Sequence, residues 1–142
     1  MIRDICSKPP VTISADATVR EAARAMRDKR VGALVVTNSA KPVGILTDRD
    51  IAVSVVGTDR NPATVPVREV MHASPTTIYE DQGVHDAVKM FSAHGFRRLP
   101  VVNRKGELTG IIALDDVLML LGDEMLHVTH AVERELGRSW AA

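Results

Sequence analysis

The chain has 142 residues, 45% of them hydrophobic and 25% charged, with 18 basic and 18 acidic side chains. That balance belongs to a folded protein and excludes a disordered tail or a fibre, and the length suits one compact domain or two very small ones sharing a core. A net charge of zero and an aromatic content of 3% weigh against a nucleic-acid binder, which draws its affinity from a basic excess and stacks bases on rings.

The first ten residues carry charges and three of them are lysine or proline at positions 8 to 10, with no apolar run, so no signal peptide is expected. No apolar stretch approaches the ~20 residues that span a bilayer. Cys6 is the lone cysteine, which rules out an intrachain disulfide. A cytoplasmic protein is the expectation.

Residues 11–14 form a short extended piece. Thr18 and Glu21 have the spacing of a capping box, and Val19, Ala22, Ala23 and Met26 step along one helical face. A β-branched run over 31–37, a turn and a second run over 43–47 predict two strands, followed by a helix over 48–56. Residues 57–66 are polar, with Gly57, Pro62 and Pro66, and read as a linker. The same order then returns. Residues 76–79 are extended, Val84, Ala87, Val88 and Phe91 share a helical face, 99–102 and 108–113 are strands, and 114–121 is a helix. Gly122 is expected to end that helix. A separate one should follow over 123–137, with Met125, Val128, Thr129, Val132 and Leu136 on one face and no counterpart earlier in the chain.

The two halves align residue by residue. Ile2-Arg3-Asp4-Ile5 falls on Val67-Arg68-Glu69-Val70, Thr12-Ile13 on Thr77-Ile78, Leu34 on Leu99 and Val36 on Val101, all at one offset. One inserted residue later, Gly44-Ile45 falls on Gly110-Ile111 and Asp50 on Asp116. Tandem units of this size bury their apolar faces against each other. The units are expected at 1–56 and 67–122, with a C-terminal extension at 123–142.

Thr47-Asp48-Arg49-Asp50 lies where a strand gives way to a helix. Free N–H groups at a helix start suit a phosphate, the Thr47 hydroxyl can donate to one, and Asp50 can accept from the vicinal hydroxyls of a ribose. The same four residues also read as a capping box, Thr47 as cap and Asp50 at the third helical position. One helix start can serve both uses. In the second unit Ala113 replaces Thr47 while Asp116 remains. Arg97 and Arg98 offer forks for phosphate, as does Arg49, each otherwise an ordinary solvated arginine. His127 and His130 can share a helical face but lack the further ligands zinc wants, so no metal site is expected. No nucleophile–base constellation stands out, so no catalytic residue is assigned.

The ordered set of segments resembles the cystathionine-β-synthase (CBS) domain family in tandem. It is carried by Val11-Thr12-Ile13, Asp16-Ala17-Thr18-Val19, Val31-Gly32-Ala33-Leu34-Val35-Val36 and Gly44-Ile45-Leu46-Thr47-Asp48-Arg49-Asp50. In the second unit it is carried by Phe96-Arg97-Arg98-Leu99-Pro100-Val101 and Gly110-Ile111-Ile112-Ala113-Leu114-Asp115-Asp116. The resemblance implies an α+β fold of two β-α-β-β-α repeats with pseudo-twofold symmetry, a stand-alone Bateman module plus the C-terminal helix. It implies inter-repeat clefts for an adenosine-containing regulatory ligand of the AMP, ADP, ATP, S-adenosylmethionine or NAD class, with no cofactor required. Ribose and phosphate contacts would come from Thr47, Arg49, Asp50, Arg97, Arg98 and Asp116. Adenine would be read at the starts of the first strands, by Pro10 and Val11 in one repeat and by Pro75 and Thr76 in the other. It also implies a homodimer and a separate effector protein. A nucleic-acid-binding regulator, known among some relatives of the fold, is a second alternative that the zero net charge and low aromatic content count against, and the lack of a long apolar stretch speaks against a membrane partner. The competing reading is a dimerisation scaffold whose clefts are vestigial; Ala113 and the extra amphipathic helix favour it.

Overall fold

A computed structural model of the chain describes residues 1–137. The first repeat contributes β1 (Thr12–Ser14), α1 (Val19–Lys29), β2 (Ala33–Asn38), β3 (Lys41–Thr47) and α2 (Asp48–Ser54). The second contributes β4 (His72–Ala73), β5 (Ile78–Tyr79), α3 (Val84–His94), β6 (Arg98–Val102), β7 (Leu108–Ala113) and α4 (Leu114–Leu136). The α+β architecture expected from the sequence is present, built on a four-stranded sheet β1-β2-β3-β4 and a three-stranded sheet β5-β6-β7.

Leaving aside the two-residue crossing strand β4, the first strand of each repeat (β1, β5) runs parallel to the second (β2, β6), and the second pairs antiparallel with the third (β3, β7). The helix between the parallel strands covers one face. Helix α1 starts with a closed capping box: the Thr18 hydroxyl accepts from the Glu21 amide, and the Glu21 carboxylate accepts from the Thr18 amide at 2.8 Å. It presents Val19, Ala22 and Met26 to the core and ends at Arg30 in the left-handed conformation. Helix α3 does the same with Ala87 and Phe91 and ends on Gly95, where a φ of 67° suits glycine.

The repeats are interlocked. The segment that opens each one packs on the other. Ile2 is fully buried among Ile78, Ala87, Leu99, Val101 and Ile112 of the second repeat, and Val67 is fully buried with Ala22, Leu34, Val36 and Leu46 of the first. The hydrogen bonds follow the same exchange. Strand β4 pairs antiparallel with β3, His72 opposite Ile45, while Ser7 bridges to Ile111 of β7. Gly44 and Gly110 make room for these crossings: a Cβ there would stand 2.5 Å from Met71 Sδ and 2.7 Å from Cys6 Sγ respectively.

One expectation is corrected. Residues 114–136 form a single helix that runs through Gly122, not two helices broken there. A mid-helix glycine costs only about 1 kcal/mol relative to alanine, and the leucine- and methionine-rich turns on both sides offset it. The stop comes at Gly137, with φ 64°. Beyond Val117 no residue of α4 is buried, and Leu118, Leu121, Met125, Val128, Val132 and Leu136 face outward. The C-terminal stripe therefore does not pack on its own repeat pair. No helix among the described residues is long and apolar enough to cross a membrane.

Candidate functional site

The interlock leaves two clefts where the end of a third strand in one repeat faces the entry to the first strand of the other. The larger, about 500 Å³, lies between Ile45, Thr47, Asp48 and Arg49 of the first repeat and His72, Pro75, Thr76, Phe96, Arg97 and Arg98 of the second. The smaller, about 270 Å³, lies between Pro10, Val11, Val31 and Gly32 on one side and Arg98, Ile111, Ala113, Asp115 and Asp116 on the other. Thr47, Arg49, Pro75, Thr76, Arg97 and Arg98 thus come together in the larger cleft. Pro10, Val11 and Asp116 come together in the smaller, where Arg98 also forms part of the wall. The two aligned acids, Asp50 and Asp116, each expected at its own cleft, take different situations.

Asp50 does not line the larger cleft. One carboxylate oxygen accepts the Thr47 amide at 2.8 Å, and the other is 2.9 Å from His72 Nε2. Its side chain is only 14% exposed while the His72 ring is 74% exposed, so the ring is the movable member of the pair. Asp116 caps its own helix in the same manner, accepting the Ala113 amide at 2.8 Å, yet it lines the smaller cleft. The difference traces to the crossing strands. His72 covers Asp50, whereas the aligned residue opposite β7 is the short Ser7.

The free amides that the sequence offers to a phosphate at the start of α2 are already engaged. The Asp48 amide donates to the Gly32 carbonyl at 3.0 Å, the Arg49 amide to the Asp48 carboxylate at 2.8 Å, and the Asp50 amide to Thr47 Oγ1 at 3.2 Å. Helix α2 has only seven residues, so its dipole is weak as well. The Thr47 hydroxyl accepts one of these bonds and keeps its own proton to donate. Positive charge in the larger cleft rests instead on the arginines. Arg97 reaches Asp115 at 3.3 Å, and both of these side chains are largely exposed. Arg49 and Arg98 form no ion pair with any described residue.

Sequence reasoning passed over His72 and Phe96 in the larger cleft and Asp115 in the smaller. The alignment held the signal. Each of the three shares its offset with a residue that lines the opposite cleft: Ser7, Val31 and Arg49. Phe96 is stacked on His94, with ring centroids 5.5 Å apart, and adds an apolar wall beside Ile45 and Pro75. Among the described residues no group of three or more His, Cys, Asp or Glu side chains converges to hold a metal ion.

Comparison with known proteins fits this geometry. The CBS domain family matches residues 2–57 and again 67–123. The CBS domain-containing protein YhcV of Bacillus subtilis is 35% identical over 82% of this chain and 81% of its own length. The CBS domain protein PAE2072 from Pyrobaculum aerophilum, solved in complex with AMP, is 30% identical, with a TM-score of 0.75 over 81% of this chain and 88% of that one. The CBS domain pair of protein MJ0100, solved with 5′-methylthioadenosine and S-adenosyl-L-methionine, is 27% identical, with a TM-score of 0.78 over 87% of this chain and 97% of that one. Among curated relatives the chain spans 81% of one, 61% of another and 23% of several longer ones. The chain belongs to the CBS domain family.

Proposed function

We propose that the chain is a non-catalytic regulatory module that binds an adenosine-containing ligand in the larger inter-repeat cleft. The observation that carries this reading is the meeting there of Arg49 and Arg98, two cations with no ion pair to a described residue, with an apolar wall of Ile45, Pro75 and Phe96. A pocket of about 500 Å³ falls within the range of roughly 300–1,000 Å³ usual for small-molecule sites. The purine would lie against Phe96 and Pro75 and read the backbone at Pro75 and Thr76. The phosphate would be held by Arg49, Arg97, Arg98 and the Thr47 hydroxyl. The ribose would be held by Asp50 once His72 swings off its outer oxygen. AMP in the Pyrobaculum relative, and 5′-methylthioadenosine and S-adenosyl-L-methionine in MJ0100, support an adenosyl ligand.

The ligand would touch both repeats, so it would bias their relative angle only if it prefers one arrangement. A signal of that kind calls for a separate effector protein, and a cytoplasmic setting supplies the ligand. Domain limits of 1–56 and 67–122, joined by 57–66, suit this reading. A homodimer belongs to it as well. From Leu121 onward α4 runs about 24 Å into solvent at 1.5 Å per residue, and a helix of that length is marginal alone in water. The spacing of Leu118, Leu121, Met125, Val128 and Val132 alternates three and four, as in a two-helix seam. This exposed row also favours the scaffold reading, in which the clefts are vestigial.

Thermal denaturation with AMP, ADP, ATP, S-adenosylmethionine and NAD, with GTP as the control, separates the two. Ligand at 100 times its dissociation constant adds roughly 2.7 kcal/mol, which is about 9 °C for a chain of this length. The shift should shrink in Arg98→Gln. A protein shown to be free of carried-over ligand that shifts with none of the panel is a scaffold.

A further inference from the structure

We propose that the two clefts sort adenosyl ligands by charge, the larger taking a phosphorylated anion and the smaller a nucleoside compound without phosphate, neutral or cationic. The inference rests on the adenosyl-binding reading of the larger cleft and extends it to the second. Its basis is the set of residues at aligned positions in the two walls. Thr47 in the larger cleft is Ala113 in the smaller, Arg49 is Asp115, and Arg97 is Gly32. The remaining arginine, Arg98, is aligned with Ala33 and is shared between the clefts. The larger cleft therefore holds three arginines and one aspartate, and the smaller one arginine and two aspartates.

Neither aspartate of the smaller cleft is neutralised within it. Asp115 pairs with Arg97, a contact of 3.3 Å between two exposed side chains and so strongly screened. Asp116 spends one oxygen on the Ala113 amide and forms no ion pair with a described residue. Lys8 lies on the same crossing segment, but its stem runs past Gly110, and it is not part of the wall. A phosphate placed here meets two carboxylates at short range and lacks the Thr47 hydroxyl. Like charges brought together across a binding surface are one device by which a site refuses a wrong ligand. A sulfonium or an uncharged thioether in place of the phosphate meets no such penalty. Size agrees with charge. About 270 Å³ lies just under the usual range for small-molecule sites and suits a nucleoside better than a nucleoside polyphosphate.

The test is calorimetric titration of the wild-type chain with AMP, followed by 5′-methylthioadenosine titrated into the AMP-saturated protein. The expected result is one AMP per chain and one further 5′-methylthioadenosine per chain. Asp115→Arg should tighten a second AMP by ~tenfold or more, bringing two per chain; because Asp115 also pairs with Arg97, the readout is the added second site and not the strength of the first. Arg49→Asp should weaken the first AMP by ~tenfold and leave 5′-methylthioadenosine in the smaller cleft unaffected. Both replaced residues are exposed, and ligand-free melting checks that each variant folds. Two AMP per wild-type chain with equal affinity, or 5′-methylthioadenosine wholly excluded by AMP, overturns charge sorting while leaving adenosyl binding intact. Absence of binding by any adenosyl compound overturns both readings together.

Discussion

Replacing Ile2 by alanine tests the interlock at its narrowest point. Ile2 is 0% exposed, and its neighbours Ile78, Leu99 and Ile112 belong to the other repeat. The change removes three carbons from a closed core. At ~0.8 kcal/mol per buried methylene the transfer loss is roughly 2.4 kcal/mol. The cavity left behind raises the cost toward the 2–5 kcal/mol usual for isoleucine to alanine, so about 3 kcal/mol is expected. Unfolding entropy of ~2.1 cal/mol/K per residue converts this into a fall of about 10 °C in melting temperature. The location of the damage is more telling than its size. Hydrogen exchange should speed up in β5, β6 and β7, which share a core with Ile2, before it does in β2 and β3. Val53→Ala, at an exposed position of α2, is the control and should cost less than ~0.5 kcal/mol. A loss below 0.5 kcal/mol for Ile2→Ala, or faster exchange confined to the first sheet, refutes the exchange of opening segments.

Gly110→Ala puts a Cβ 2.7 Å from Cys6 Sγ and 3.1 Å from the Ser7 carbonyl, so the crossing segment must shift. Overpacking of this kind costs ~1–3 kcal/mol, a drop of about 3–10 °C in thermal melts, and adding Cys6→Ala should restore part of it. Burial pushes the Cys6 thiol above its ordinary range and Lys8 pulls it back by less. A raised thiol pKa contributes stability that is fully present below the unfolded value of about 9.0 and is lost as pH climbs through the folded value. Iodoacetamide at pH 8 should therefore alkylate Cys6 more slowly than a cysteine peptide, read by mass spectrometry, and equally fast once the chain is unfolded. Met125 is 66% exposed in the middle of the α4 row. Sedimentation should give twice the chain mass for the wild type and a shift toward monomer for Met125→Glu, whereas a wild type that stays monomeric when concentrated removes the helix pairing.

Local order was written plainly in the chain. The apolar steps at Val19, Ala22 and Met26 and at Ala87 and Phe91 are the buried positions of α1 and α3, and the Thr18–Glu21 box closes as its spacing requires. Pattern alone does not carry what depends on tertiary choice. Ile2 and Val67 are visibly equivalent, but nothing in their neighbourhood says which of two similar cores each will enter. Strand β4 has two residues, too few for a period to show, and it exists because β3 offers an edge. Gly122 looks like a stop because glycine is a poor helix former, yet the turns around it outweigh one unfavourable residue. In the site, the repeat alignment revealed which positions answer to one another. It could not assign Arg97 and Arg98 to a cleft, because a long side chain at the edge of β6 can turn either way. The amides of α2 were legible as helix-start donors, but not as donors already taken by Gly32, Asp48 and Thr47.

Asp50 is where the two readings of the Thr47–Asp50 motif separate experimentally. As a cap, its outer role is dispensable: one oxygen accepts the Thr47 amide, and the His72 contact joins a mostly exposed ring. As a ribose acceptor, it needs a full negative charge, since hydrogen bonds to a carboxylate are about twice as strong as those to a neutral amide oxygen. Asp50→Asn keeps an oxygen for the Thr47 amide and discards the charge. Its ligand-free melting temperature should therefore fall by less than ~3 °C, the equivalent of under 1 kcal/mol. AMP affinity should weaken by about tenfold, the worth of roughly 1.4 kcal/mol across two ribose hydroxyls. Asp50→Ala also removes the carboxylate half of the capping box, so it should lose up to ~2 kcal/mol of stability in addition to the ligand. AMP affinity unchanged in Asp50→Asn would leave the residue as a cap alone and shift recognition onto the arginines and Phe96. Affinity lost in His72→Ala as much as in Asp50→Asn would mean that the ring is a ligand contact; a gain in His72→Ala is expected, because the ribose then finds the outer oxygen of Asp50 already uncovered.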